Sequence, residues 1–469
     1  MMNIRTIIIG LIIGLLAGTS LGYGSTSSQI SGLQNQVNTL QTQVSSVQSE
    51  ANKVPDLQQQ ITILTNDKST LQTQLSSLQP EANKVPDLQQ QLTILTNDKS
   101  TLQSQVTTLQ TLASTLQTQI DTLTRANAKP YIVGVKLFDP QNNTLNLVGF
   151  NIRDSFTEND FIWLKDHGYN AIRLNLYWGT MEPVKGAVNW TNLDNTLNLC
   201  QKYHIWAWVD MHQWEYSSYF KFDMNGDGKI DQGNGFPSWL VSGGGYTNDE
   251  AGKKLFSDDF LLKRGYGVTS WNTFEDFWAS LVTHCKAQPY FRSIVCWEML
   301  NEPTHGAVHD DGVKVACNVR YTEWIRMVRA IDPSTIICLS QINDGFNQRQ
   351  NFSNIMWSKS AYPEYGVGWS QGSINAYLAD RKADFNVGMG VPYVISETGI
   401  SPSVTLGEAT DFFSRLFGAQ RAILGDGQCS WFIWRYDVAD SSGGYLPPRL
   451  ADGSDSMLQS VLARLMGPQ

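Results

Sequence analysis

At 469 residues the chain exceeds one ordinary domain. Its net charge of -9, with no basic patch standing out, argues against a nucleic-acid partner. The six cysteines, Cys200, Cys285, Cys296, Cys317, Cys338 and Cys429, show neither a CxxC pair nor metal-ligand spacing. Those in strand-like runs (Cys296, Cys338, Cys429) read as buried free thiols, and no disulfide is assigned.

Residues 1–25 read as a membrane segment. After Arg5, residues 6–24 carry no charge, about the length that spans a bilayer. Arg5 places the N-terminus inside and the remainder outside. The strongly apolar core is only Ile7 to Ala17, with small residues after it, which also fits a cleaved signal peptide. Both readings export the rest of the chain, held at the cell surface or secreted.

Residues 26–125 are rich in Gln, Ser, Thr and Leu. Glu50 to Gln60 returns at Glu81 to Gln91, a shift of 31 residues. Apolar positions step by four and three: Leu57, Ile61, Leu64, Leu71, Leu75, Leu78, then Leu88, Leu92, Leu95, Leu102, Val106, Leu109. This heptad pattern predicts a coiled-coil stalk and a homo-oligomer. The extra three residues fall at Val54-Pro55 and Val85-Pro86, where each Pro-Asp pair suits the first turn of a fresh helix. Lys68 and Lys99 interrupt the seam, and a polar linker is the alternative.

From residue 132 onward, eight strand-like runs alternate with helical ones. The runs are Leu145–Ile152, Ala171–Leu176, Ile205–Asp210, Ser293–Leu300, Thr335–Leu339, Asn354–Trp357, Val391–Glu397 and Cys429–Arg435. Helical candidates between and after them are Glu158–His167, Leu193–Tyr203, Thr273–Lys286, Tyr321–Ala330, Ile374–Phe385, Leu406–Ile423 and Ser456–Leu465. The fold class expected is α/β, a (β/α)8 TIM barrel over residues 132–469, preceded by a transmembrane helix and a long coiled coil.

The run Val295 to Leu300 leads into Asn301-Glu302-Pro303. Proline cannot donate to a sheet ladder, so the strand is expected to stop there, with Glu302 at its C-terminal rim. Val391 to Gly399 has the same grammar, closing on Glu397. Chemistry in such barrels is done at that rim. Two rim carboxylates on separate strands are what acid/base and nucleophilic cleavage of a glycosidic bond requires. Arg173, in the second strand, must be paired because a lone buried charge is costly. Beside Glu397 it would favour the ionised carboxylate. His212 stands at the rim of the third strand, with Asp210 positioned to orient it or Arg173.

Trp297-Glu298 with Asn301-Glu302-Pro303, and Glu397 downstream, resembles the family 5 glycoside hydrolases, the cellulase-type retaining β-glycanases, over roughly residues 132 to 466. The resemblance implies that Glu302 is the acid/base at the end of strand four and Glu397 the nucleophile at the end of strand seven. It implies sugar contacts for His212 and Asn301, a hydrogen bond from Tyr362 to the nucleophile, and a stacking face at Trp434, whereas Trp431 reads as core. Opposite roles ask for opposite proton affinities, with Glu302 raised and Glu397 kept ionised by Arg173 and hydrogen bonds. The sequence departs from the family at Ser360, where His is usual, and at Ser396, where Gly is common. Met211-His212-Gln213 and Gly235-Phe236-Pro237-Ser238-Trp239 resemble the endoglycoceramidase branch.

A long insertion, residues 213–270, contains Asp223-Met224-Asn225-Gly226-Asp227-Gly228-Lys229-Ile230-Asp231. Oxygen ligands at positions 1, 3 and 5 (Asp223, Asn225, Asp227), the Lys229 carbonyl, glycine at 6 and Asp231 at 9 match an EF-hand-type calcium loop. Position 12 is Asn234, which weakens the site or moves the last ligand elsewhere, to Asp249 or Glu250. A polar Asp/Gly turn is the alternative. Asn142, Asn189 and Asn351 open glycosylation tripeptides.

The reading is a retaining endo-β-glycanase acting on a β-linked polysaccharide or oligosaccharide, an extracellular β-1,4-glucan first. It needs no cofactor for catalysis and takes a structural calcium at most. It is tethered to the membrane by its N-terminal helix and oligomeric through its stalk. Mannan, β-1,3-glucan and glycolipid are alternative substrates, and a glycan-binding barrel without activity is the alternative of another class.

Overall fold

The computed structural model describes residues 53–78 and 85–436 apart from 154–155, 224–225, 227, 306–308, 343–345, 363–367, 402 and 426. It also describes scattered residues between 39 and 50, residue 448 and residues 454–466. The expected membrane segment, residues 1–25, lies outside the described residues. Among the described residues no helix is long and apolar enough to cross a membrane. The chain divides into two compact units, 1–126 and 127–469.

In the first unit two helices are described, α1 (Lys53–Leu78) and α2 (Val85–Asn127). They begin two residues before Pro55 and one before Pro86, so each proline falls in a first turn, where its missing N–H costs nothing. Leu57, Ile61, Leu64, Leu71, Leu88, Leu95, Leu102, Val106 and Leu109 are half-buried, while Leu92 is exposed. The threonines bond back to the preceding turn, as Thr62 does to the Gln58 carbonyl at 3.0 Å, so their hydroxyls need no partner outside the helix.

The second unit opens with a short antiparallel pair, β1 (Tyr131–Val133) and β2 (Lys136–Phe138). Eight parallel strands then close a barrel in chain order: β3 (Val148–Ile152), β4 (Ala171–Leu176), β5 (Trp206–Met211), β8 (Ile294–Glu298), β9 (Ile336–Ser340), β10 (Ile355–Ser360), β11 (Tyr393–Thr398) and β12 (Trp431–Ile433). All eight expected runs are present, and the barrel shuts where Trp431 pairs with Val148. Helices α3 (Glu158–Asp166), α5 (Thr191–Tyr203), α8 (Gly267–Lys286), α9 (Asp311–Ile331), α10 (Gln371–Arg381), α11 (Leu406–Leu424) and α12 (Met457–Met466) correspond to the seven helical candidates. Among the described residues three further α-helices were not expected: α4 (Trp178–Met181), α6 (Ser238–Ser242) and α7 (Glu250–Leu262). The insertion also holds a hairpin of β6 (Lys221–Phe222) and β7 (Asp231–Gln232).

Alternation along the strands sorts two cores. On β4, Ile172, Leu174 and Leu176 join the layer between strands and helices, while Ala171 joins Trp208, Cys296, Cys338, Met356, Val394 and Phe432 inside the barrel. Arg173 and Asn175 share the inward phase of Ala171, which carries them toward the barrel's C-terminal mouth. All six cysteines are buried and free.

Candidate active site

The site is built on Arg173, which is completely buried. Its Nε donates to Glu298 Oε2 at 2.7 Å. Its two terminal nitrogens reach Glu397 Oε1 at 2.6 Å, Asn151 Oδ1 at 2.8 Å, Asn301 Oδ1 at 2.8 Å and Asp210 Oδ2 at 3.1 Å. One planar guanidinium thus ties β3, β4, β5, β8 and β11 together, a geometry that a point-charge ammonium would not satisfy. The expected partnership with Glu397 is present, but two more carboxylates share the same charge.

Glu298 received no role from the sequence. It is fully buried, and it also accepts from Trp208 Nε1 at 2.8 Å and Ser358 Oγ at 3.0 Å. The signal was available: a charged residue inside an apolar strand needs a buried partner, and so does Arg173.

Glu397 owes its inward aim to a register break. Ser358 pairs with Val394 and Lys359 with Ile395, but Ser360 pairs with Glu397. The extra residue on β11 lets Glu397 instead of Ser396 take the inward phase shared by Met356, Ser358 and Ser360. Tyr362 donates to Glu397 Oε2 at 2.9 Å, as expected. Burial pushes the Glu397 carboxyl up to about 8, with Arg173 and the Tyr362 hydroxyl acting in the opposite direction. The expected partners, Arg173 and a hydrogen bond, are both in place, but burial outweighs them. Glu298 is also raised, and Asp210 is raised to about 6, both chiefly by burial. One cation against three buried carboxylates cannot hold them all ionised at low cost.

Glu302 differs from its expected position. The strand ends at Glu298, four residues earlier, so Pro303 is not what stops it. Beyond it the backbone finds other partners: Asn301 N–H donates to the Met211 carbonyl at 2.9 Å and Glu302 N–H to Ser340 Oγ at 3.0 Å. Glu302 itself has φ 39°, an uncommon conformation for a residue with a Cβ. Its side chain is 29% exposed, the more open of the two carboxylates. Ser360 Oγ donates to Glu302 Oε1 at 2.6 Å, so the departure from the family's usual residue keeps a hydrogen bond to this carboxyl.

His212 Nδ1 lies 2.7 Å from Asp210 Oδ2. Burial, and then Arg173, hold the ring well below its usual pKa, so it is neutral. With its proton assigned to Nδ1 facing Asp210, Nε2 is the acceptor. Trp434, half-buried, stacks on His212 with centroids 5.3 Å apart. Trp431 is buried against Phe417, as core. Asn301 Nδ2 donates to the Gln213 carbonyl at 3.1 Å, which uses one of that nitrogen's two protons.

The two insertion motifs acquire a physical reason. Gln213 Nε2 donates to the carbonyls of Asn301 at 2.9 Å and Glu302 at 2.8 Å, and Tyr216 donates to the Pro303 carbonyl. Gly235 lies so close that a Cβ there would stand 2.6 Å from Gln213 Cβ. The insertion therefore braces the loop that carries Glu302.

Of the expected calcium ligands, Asn225 and Asp227 lie outside the described residues. Asp223 Oδ2 accepts from Gly228 N–H at 2.9 Å. Asp223, Asp249, Glu250, Glu215, Lys221, Phe222 and Lys253 line one pocket. Asp249 also caps α7 and Glu250 pairs with Lys253. Among the described residues no group of three or more His, Cys, Asp or Glu could hold a metal ion.

A closed parallel barrel with two carboxylates at its mouth defines a glycoside hydrolase of the β/α-barrel class. The family model described as Cellulase (glycosyl hydrolase family 5) matches residues 138–440, and the chain belongs to that family. Among curated proteins it is similar to an endoglycoceramidase of Cyanea nozakii, 27% identical over 179 residues, covering 34% of this chain and 35% of the relative. The chain thus matches about a third of that relative's length. Among solved structures it is similar in fold to endo-glycoceramidase II from Rhodococcus sp., with 20% identity, TM-score 0.58, and coverage of 71% of this chain and 81% of that one. An endogalactoceramidase structure gives 16% identity, TM-score 0.55, and coverage of 71% and 84%.

Proposed function

We propose that this chain is a retaining endo-glycosidase working by double displacement. Glu397 attacks the anomeric carbon while Glu302 protonates the leaving oxygen. Glu302 then takes a proton from the water that hydrolyses the glycosyl-enzyme. The observation that carries the reading is the division of labour at the end of β10: Ser360 donates to Glu302 and Tyr362 to Glu397, so one short segment holds both carboxyls at one mouth. Glu302 is open enough to meet a leaving group and water, whereas Glu397 is enclosed beside Arg173. His212, Asn301 and Trp434 serve the sugar. No cofactor takes part in these steps.

The substrate we favour is a β-linked oligosaccharide on a lipid aglycone. Supporting it are the endoglycoceramidase relative and the two insertion motifs that brace the Glu302 loop. A β-linked polysaccharide, above all an extracellular β-1,4-glucan, is the second reading, favoured by the cellulase description of the family. The experiment offers glycosylceramides, β-glucans and mannans to the wild type and to Glu397→Gln. Oligosaccharide release from the lipid by wild type alone supports the first reading, and release from β-glucan alone supports the second. If both proteins are inert on every glycan, a binding barrel replaces the hydrolase.

We infer further that residues 26–125 pair as a coiled coil holding an exported barrel away from a membrane anchor in residues 1–25. The heptad pattern and the half-buried seam positions on α1 and α2 support the coil. Sedimentation of the full chain as a monomer would remove it. The loop from Asp223 to Asp231 we read as a structural calcium loop, supported by the Asp223 to Gly228 turn.

A further inference from the structure

The loop after Glu302 returns one more titratable group to the site. His305 N–H donates to the Glu302 carbonyl at 2.9 Å, closing a turn that brings the imidazole back over the carboxyl. Its Nδ1 stands 3.5 Å from Glu302 Oε2, the oxygen that Ser360 does not occupy. On its far side, Nε2 stands 3.6 Å from Glu215 Oε1. Glu215 is buried, in a left-handed conformation with φ 56°, and its other oxygen meets Lys253, which also reaches Glu250 Oε1 at 2.8 Å. The imidazole is therefore flanked by a solvent-facing carboxyl and a buried, anchored one. A carboxylate behind an imidazole fixes which nitrogen carries the proton and how the ring is turned.

We propose that His305, backed by Glu215, is a positioning residue for the acid/base Glu302. The ring turns its Nε2 edge to Glu215 and its Nδ1 edge to Glu302 Oε2. Ser360 hydrogen-bonds one carboxyl oxygen and the imidazole stands beside the other, so the carboxyl plane is set before substrate arrives. An acid that must meet a leaving oxygen within hydrogen-bond reach gains rate from such orientation. Lys253 and Glu250 act only through Glu215, which they keep in place.

The inference rests on the reading of Glu302 as acid/base, and the test separates the two. Phenyl and 2,4-dinitrophenyl β-cellobiosides and β-lactosides are assayed with full-length wild type, Glu302→Ala, His305→Ala, His305→Gln and Glu215→Gln. Circular dichroism and melting temperature check that each variant is folded. If Glu302 is the acid/base, Glu302→Ala loses the phenyl substrate far more than the dinitrophenyl one, and added azide yields glycosyl azide. His305→Ala is then expected to lose about 10- to 100-fold in kcat/KM on the phenyl substrate, part of the general-acid contribution. The dinitrophenyl substrate should keep kcat/KM within about threefold, because its leaving group needs little protonation. Glu215→Gln should show a smaller loss of the same kind, and His305→Gln should recover part of it. If Glu302→Ala behaves as an acid/base variant but folded His305 variants change neither substrate, or both equally, the positioning role is overturned while the mechanism stands. If Glu302→Ala shows neither signature, the acid/base reading falls and this inference with it.

Discussion

Arg173 and Glu397 meet at 2.6 Å, yet the guanidinium that should keep Glu397 ionised is divided among Glu397, Glu298 and Asp210. The candidate nucleophile is consequently one member of a buried cluster that carries more negative than positive groups. Its behaviour with pH, and the barrel's stability, follow from that excess.

The first consequence is for stability. A carboxyl raised by burial binds its proton more tightly in the folded chain than in the unfolded one. Between its ordinary value of 4.5 and about 8, the folded state therefore holds more protons, and stability falls as pH rises through that window. Glu397→Gln removes this cost. Its melting temperature is expected to exceed that of the wild type by a few degrees at pH 8, with the difference shrinking below pH 4.5, as scanning calorimetry across the range would show. Equal melting curves at both ends would mean that Glu397 is not raised.

Removing the cation acts in the other direction. Arg173→Met leaves three buried carboxyls without their common partner, and breaking a buried pair costs about 3–5 kcal/mol. Urea unfolding is expected to register a loss of that order. Arg173→Lys should recover little of it, because a single ammonium cannot reach Glu298, Asp210, Asn151, Asn301 and Glu397 together.

Tyr362 favours the ionised form of Glu397 by donating to it. Tyr362→Phe should push the carboxyl further up, so the acid limb of the kcat/KM profile moves to higher pH. Loss of a hydrogen bond to a charged group is worth roughly 1.5–3 kcal/mol, or about 10- to 100-fold in rate. A pH–rate profile on one aryl glycoside measures both effects.

Gly235 is held at φ 120° against Gln213. Gly235→Ala cannot be accommodated without moving Gln213, which braces the carbonyls of Asn301 and Glu302. Activity should fall more than stability, seen as a lower kcat in a protein whose melting temperature drops by only a few degrees. A variant with unchanged kcat would show that the insertion does not support the Glu302 loop.

The calcium reading has its own measurement. Calcium is expected to raise the melting temperature of the wild type and to compete with terbium for a luminescent site, and Asp223→Ala should abolish both. A melting temperature indifferent to calcium and chelator would leave the loop a polar turn.

The eight barrel strands were legible in the sequence because each is a short apolar run between helical stretches, and burial on both faces leaves that mark locally. The two glutamates were legible for the same reason, since a carboxylate at the end of such a run has no other ready explanation. Only the tertiary structure decided which way Glu397 faces, because a one-residue slip against β10 exists only between strands. It alone gave Glu298, Gln213 and His305 their partners, which lie far apart in the chain or across an unexpected turn. It also set burial against Arg173 at Glu397, because a pKa depends on how many charges share one buried space, and pairwise sequence motifs do not count them.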